Sequence, residues 1–165
     1  MIIRQIETAD AEQFIQLVQQ VEREAAYMLF EPGERNTPVE QQRERIKAVA
    51  QDEHSAIFLA EKEHHLAGYL MAIGGNANRN RHTIYLVVGV LDEYRGQGIG
   101  TKIFEQLEKW AIGQNVHRME LTVVTRNEAG LALYKKHGFE IEGTKRDSLL
   151  INSEYLDEYY MAKLL

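Results

Sequence analysis

Arg95-Gly96-Gln97-Gly98-Ile99-Gly100-Thr101 is the stretch on which the reading of this chain turns. It follows an apolar run, Ile84-Tyr-Leu-Val-Val-Gly-Val90, and opens an amphipathic run from Ile99 to Ile112. A buried strand, a Gly-rich turn and a helix in that order make an anion site. Glycines let backbone N–H groups approach an oxyanion closely, and the helix N-terminus adds the positive end of its dipole. Spacing restricts which anion. A P-loop needs four residues between its first Gly and a Gly-Lys-Ser/Thr, and no such spacing occurs. The dinucleotide fingerprint G-x-G-x-x-G needs Gly at 101, where Thr stands. What remains is R-x-x-G-x-G from Arg95 to Gly100, a phosphate turn with a cation in front.

Composition narrows the setting of that turn. A chain of 165 residues is expected to form one domain, residues 1–165, with a real core. The formal net charge of −6 argues against a broad electrostatic grip on nucleic acid. There is no cysteine, so thiol nucleophiles, disulfides and thiolate metal sites are excluded together. His64-His65 marks a hairpin without spaced partners, and no metal is expected. Met1-Ile-Ile-Arg4 does not lead into an apolar leader, and no apolar run reaches the ~18 residues of a membrane span. A cytoplasmic protein without a membrane partner is the expectation.

Along the chain, strand and helix patterns alternate. Ile2 to Ile6 reads as a strand. Thr8-Ala9-Asp10 supplies caps for a helix to about Tyr27, with Phe14, Leu17, Val18 and Val21 at helical spacing. Glu31-Pro32-Gly33-Glu34 breaks it. Thr37-Pro38-Val39-Glu40 then carries a cap, a proline at the first helical position and a glutamate three after the cap, predicting a second helix to about Ala50. Ser55 to Glu61 and Leu66 to Gly74 alternate like an antiparallel pair turning near His64. After the long strand to Val90 and the helix to about Gly113 come a strand from Arg118 to Val124 and a short helix from Asn127 to His137, closed by Gly138. A strand begins at Phe139, and the last is expected over Glu158 to Leu164. Antiparallel strands first and a helix-linked pair later imply a mixed α/β sheet.

Two blocks carry a family resemblance. Val88-Gly-Val-Leu-Asp-Glu-Tyr-Arg-Gly-Gln-Gly-Ile-Gly-Thr101 fits a strand followed by Q/R-x-x-G-x-G/A. Asn127-Glu-Ala-Gly-Leu-Ala-Leu-Tyr-Lys-Lys-His-Gly-Phe139 fits N-x-x-A-x-x-L-Y-x-x-x-G-F. With both blocks in order, one helix and one strand apart, the chain resembles the GNAT family of N-acetyltransferases, which acetylate amines from acetyl-CoA. Tyr134 to Thr144 and Tyr155 to Ala162 are also similar to a branch that acetylates free L-amino acids. That second likeness is dense only after about residue 117. The resemblance implies a mixed, mostly antiparallel sheet of six or seven strands flanked by about four helices.

It also implies a site. The CoA pyrophosphate would lie on the N–H groups of Gly96, Gln97, Gly98, Ile99, Gly100 and Thr101. Arg95 either meets phosphate or stays a solvated cation, and Asn127, Tyr134 and Lys136 complete the cofactor contacts. Val88, Gly89 and Val90 would form the rail for the pantetheine arm, Val90 N–H being the oxyanion donor. Gly89 suits a bulge or a close backbone approach. Tyr134 would protonate the departing thiolate, since a phenol of pKa about 10 outranks a thiol of about 8.5.

The general base is open. In the branch that acetylates protein N-termini a glutamate lies five residues before the motif's Asn, and here that position is Thr122. Glu120, two residues away on the same strand face, is the substitute candidate, with a surface carboxylate as the alternative. Glu31 and Glu34 lie where the family builds its acceptor site and either could bind an ammonium or remain solvated. The reading is direct transfer from acetyl-CoA to the amine of a free L-amino acid or small amine. Acetylation of a protein N-terminus or lysine is the alternative within the class, and a non-catalytic acyl-CoA-binding module the alternative outside it. A homodimer is what the family's pairing through C-terminal strands would imply.

Overall fold

Ala56 to Ala60 and Ala67 to Leu70 are buried without alternation. A strand buried on both faces requires helices above and below the sheet, and the computed structural model, which describes residues 1–165, supplies them. The elements are β1 (Ile2–Gln5), α1 (Ala11–Glu24), α2 (Val39–Gln51), β2 (Ala56–Lys62), β3 (His65–Gly74), β4 (Thr83–Val90), α3 (Ile99–Gly113), β5 (Arg118–Val124), α4 (Glu128–Lys136), β6 (Glu140–Ile151) and β7 (Glu154–Leu164). The seven strands form one sheet in the order β1-β2-β3-β4-β5-β7-β6. Every neighbouring pair is antiparallel except β4 and β5. The mixed, mostly antiparallel sheet with four helices is therefore as the sequence led one to expect.

Each face has its own core. On one, Ile99, Ile103, Phe104 and Leu107 of α3 pack with Phe58, Leu70, Ile84, Leu86 and Met119. On the other, Phe14, Leu17 and Val21 of α1 pack with Ile57, Leu59 and Tyr69. Tyr69 meets Phe14 edge-on, with ring centroids 5.6 Å apart. No helix is long and apolar enough to cross a membrane.

Four local expectations shift. α1 stops at Glu24, not near Tyr27, because Ala25 turns extended and the Glu24 carboxylate accepts the Asp92 N–H at 2.8 Å. Thr37 is not the cap of α2: Pro38 holds that position and no side chain caps the helix, while Glu40 pairs with Arg43 one turn on. β7 starts at Glu154, not Glu158, and β6 runs through the polar segment Thr144 to Ser148. The reason is the two-residue turn at Asn152 and Ser153, with φ of 51° and 61°, whose twist matches that of paired strands. Finally, β3 and β4 pair without a register shift through Gly89, so that glycine marks no bulge.

Candidate functional site

The site is built where the parallel pair comes apart. β4 and β5 are in register only at Thr83–Arg118, Ile84–Met119 and Tyr85–Glu120. Beyond that point β5 turns away to pair with β7 along its whole length, while β4 stays on β3. On one face the Tyr85 hydroxyl bridges the diverging strands to Thr122 Oγ1 at 2.9 Å. The Gly75 N–H donates to the Thr83 carbonyl, and the Leu91 N–H donates to the Ala67 carbonyl, each at 3.0 Å. Odd-numbered residues of β4 thus bond to β3. By alternation Leu86, Val88 and Val90 turn their N–H and C=O groups to the edge that β5 has left. Arg95 Nε approaches the Val90 carbonyl at 3.4 Å, and the Val90 N–H remains available.

At the C-terminal end of β4 the chain makes a short 3-10 turn, Asp92–Tyr94, and then the Gly-rich turn. Gly96 and Gly98 have φ of 71° and 79°, and a Cβ on either would meet nothing within 4 Å. Their need for glycine is a matter of backbone conformation and open space above the turn. Gly100 differs: a Cβ there would stand 2.9 Å from Leu133 Cδ2, so its bareness serves the packing of α4 on α3. Ile99 is a core residue at 2% exposure and offers only backbone to a ligand. The first backbone bond of α3 runs from the Lys102 N–H to the Gly98 carbonyl, so the N–H groups ahead of it are unused by the helix.

The turn's side chains are engaged with one another. Arg95 pairs with Asp92 at 2.9 Å. Gln97 donates to the Glu93 carbonyl and accepts from Lys62 Nζ. Thr101 Oγ1 accepts from Lys136 Nζ at 3.2 Å, which brings the second sequence block against the first. Asn127 caps α4 through Gly130 N–H at 3.0 Å.

Tyr134, on α4, packs its ring against Phe104 and Phe139 on the α3 side of the sheet. Burial pushes its phenol well above the ordinary tyrosine range, and the Tyr85 and Tyr69 hydroxyls add to that push. Those two residues come from the opposite face, with Tyr69 in the α1 core.

Glu120 is level with Tyr85, before the strands separate, and is held by Arg118 at 2.8 Å; Arg118 also grips Glu142. Glu31 and Glu34 are both exposed at a turn in which the Glu34 N–H bonds to the Glu31 carbonyl. The acid that faces inward near them is Glu22 of α1, 1% exposed and paired with Arg35. Sequence reading missed Glu22, Arg35, Tyr69 and Tyr85. The available signal was Glu22 itself, a carboxylate four residues after Val18 on the edge of an apolar stripe. No group of three or more His, Asp or Glu side chains is arranged to hold a metal ion.

With that geometry in hand, comparison with known proteins gives a consistent answer. The profile described as the acetyltransferase (GNAT) family matches residues 16–139. An L-amino acid N-acetyltransferase of Escherichia coli is 36% identical over 90 residues, covering 52% of this chain and 54% of that protein. An L-methionine sulfoximine/L-methionine sulfone acetyltransferase of Pseudomonas aeruginosa is 35% identical over 63 residues, 38% of this chain and 37% of that one. The chain thus matches about half or less of the length of these curated relatives. An acetyltransferase of the GNAT family from Streptococcus pneumoniae superposes with a TM-score of 0.95 at 27% identity, over 99% of this chain and 98% of that one.

Proposed function

The chain belongs to the acetyltransferase (GNAT) family, and on that premise we propose that it moves an acetyl group from acetyl-CoA directly to the primary amine of a free L-amino acid or related small amine. One observation carries the reading. The free edge of β4 runs straight into a glycine turn whose N–H groups are unused, with a buried tyrosine on the helix beside it. The names of two curated relatives, an amino-acid acetyltransferase and an acetyltransferase of methionine analogues, favour a small acceptor.

The residues present fit acetyl-CoA. A polar arm with alternating amides suits the unpaired Val88 and Val90 backbone, and a diphosphate suits the turn from Gly96 to Thr101, where a Cβ on Gly96 or Gly98 would project into open space. When bound, that group supplies an activated acetyl thioester. The Val90 N–H donates to the carbonyl oxygen on which charge builds, a stabilisation that needs no reorganisation at the moment of reaction. Tyr134, kept protonated by burial, donates its proton to the leaving sulfur. Lys136, beside Thr101, and Arg95, which in the free protein pairs with Asp92, are the cations offered to phosphate. Glu120, already held by Arg118, takes the amine's proton only through water.

The test is thiol release from acetyl-CoA across a panel of free L-amino acids, their amides, polyamines and short peptides. Turnover with one or more free amino acids is expected. Turnover confined to peptides would replace the acceptor, and tight CoA binding with no turnover anywhere would leave a binding module.

A further inference from the structure

We propose that Glu22, Arg35 and Tyr69 form a receptor for the two opposite charges of a zwitterionic acceptor, Glu22 taking the ammonium and Arg35 with Tyr69 the carboxylate. The inference rests on the small-amine reading above and narrows it to acceptors carrying a free carboxylate.

The three groups come from α1, the connection between α1 and α2, and β3; the Tyr69 ring and Val21, the neighbour of Glu22, both stand against Gly89 of β4. Glu22 is 1% exposed on α1. Arg35 arrives from the connection between α1 and α2, lies over the Phe30 ring at 4.0 Å, and donates Nε to Glu22 Oε1 at 2.9 Å. Its Nη2 donates to that same oxygen. A pair built only as a staple would use both carboxylate oxygens in parallel, the geometry guanidinium and carboxylate prefer. Here the contact is end-on, so Glu22 Oε2 and Arg35 Nη1 are left without protein partners. One is an acceptor bearing negative charge, the other a donor bearing positive charge.

Tyr69 supplies an independent observation. It is 0% exposed, and its hydroxyl has no hydrogen-bond partner. A buried hydroxyl without a partner costs stability, so its retention calls for a partner that the chain itself does not supply. Burial raises the phenol to about 12, with the nearby Arg35 cation pulling it down and Glu22 pushing it up. The hydroxyl therefore stays a donor, within the field of both members of the ion pair. The Tyr69 ring also stands directly over Gly89, where a Cβ would be 2.7 Å from Tyr69 Cε1. That seats Tyr69 on the strand whose Val88 and Val90 backbone faces the gap. An L-amino acid in its ordinary ionic form matches the set: an ammonium for Oε2, and a carboxylate for Nη1 and the phenol.

The experiment compares kcat/KM for L-methionine and L-methioninamide, which differ in the carboxylate, in the wild type, Arg35→Met and Tyr69→Phe. The wild type is expected to prefer the acid by about tenfold or more, the range of one or two hydrogen bonds to a charged group. Each variant should lose most of that preference through the KM of the acid, with the KM for acetyl-CoA unchanged. Tyr69→Phe removes a hydroxyl that no protein group holds, so it should fold with an undiminished melting temperature and remains decisive should Arg35→Met not fold. A wild type that turns over acid and amide equally, or variants that keep the preference, would overturn the receptor while leaving the small-amine function standing. A wild type that acetylates neither compound but does acetylate peptides would instead remove the function on which it rests.

Discussion

Lys136 Nζ donates to Thr101 Oγ1 across 3.2 Å, joining the last turn of α4 to the first turn of α3. The bond brings a cation from the second sequence block to the helix end whose N–H groups are free. From the other side Lys62 of β2 reaches Gln97 at 2.8 Å. The glycine turn is therefore flanked by lysines from two separate elements. Dipole, bare N–H groups and flanking cations all favour the same kind of ligand, an anion, as the diphosphate proposed for this turn would be. Because these contributions are local and partly exposed, their removal should weaken binding without unfolding the chain.

Gly98 is the position at which the turn is most easily closed. Its φ of 79° lies in the left-handed region, where a non-glycine residue costs about 1–2 kcal/mol. Gly98→Val adds a branched side chain into the open space above the N–H groups. We expect the dissociation constant for CoA, measured by calorimetry, to rise at least ~10-fold and the melting temperature to fall by a few degrees. Wild-type affinity in a folded Gly98→Val protein would remove the phosphate assignment.

Much of this was legible in the sequence because it is local. The order strand, glycine turn, helix and the block from Asn127 to Phe139 are contiguous, and each element's period, like the Asn127 cap of α4, is written in adjacent residues. The splay of β4 from β5 was legible only indirectly, in the rail that the resemblance implied over Val88 to Val90, since no residue type marks where two parallel strands separate. The cluster of Glu22, Arg35 and Tyr69 was not legible. Its members are spread over three segments, and only the fold brings them together. Glu31 and Glu34 drew attention as acids in the right loop, yet that loop delivers Arg35 inward and leaves both glutamates exposed.

Tyr134→Phe separates chemistry from binding. The phenol is buried, and removal of its hydroxyl leaves the ring contacts with Phe104 and Phe139 intact. We expect kcat to fall by about 10²-fold, the lower range for loss of a positioned acid, with the acetyl-CoA KM within twofold of wild type. The raised phenol has a consequence for pH as well. A group whose folded pKa lies above its unfolded value of about 10 stabilises the fold fully below that pH and loses its contribution as pH rises beyond it. The melting temperature of the wild type should therefore drop above pH 10, and less steeply in Tyr134→Phe. Unchanged turnover would dismiss the acid role irrespective of the melting curve.

Asp10 governs the acid side. Its carboxylate accepts two bonds from Arg4 at 2.8 Å and one from the Glu7 N–H at 2.7 Å. The Arg4 guanidinium, with the Glu7 amide, holds it below the usual carboxylate range against the opposing effect of burial. A depressed carboxylate contributes stability that is present above its unfolded pKa of about 3.9 and lost as pH falls through the folded value. Asp10→Asn is expected to lower stability at pH 7 by about 2 kcal/mol, or roughly 5 °C, and to flatten the decline of melting temperature below pH 4. Thermal melts at pH 7 and pH 3 decide it; equal slopes in the two proteins would dismiss the linkage.

Gly89→Ala tests whether β4 is held at its correct height. A Cβ at this position would lie 2.7 Å from Tyr69 Cε1 and 2.7 Å from Val21 Cγ1, so strand and helix must move apart. Overpacking of this kind costs typically 1–3 kcal/mol. The displaced backbone is the one that presents Val88 and Val90 to the gap, so kcat should fall together with stability. The clash is shared between a rigid ring and a removable methyl. Val21→Ala alone should destabilise by leaving a cavity, whereas in the Gly89→Ala background it should recover part of the lost stability. The double-mutant cycle should accordingly show a favourable coupling of at least ~0.5 kcal/mol by denaturant unfolding. Strict additivity would mean that α1 does not bear on the strand at Gly89, and that the height of the rail is set from the β3 side alone.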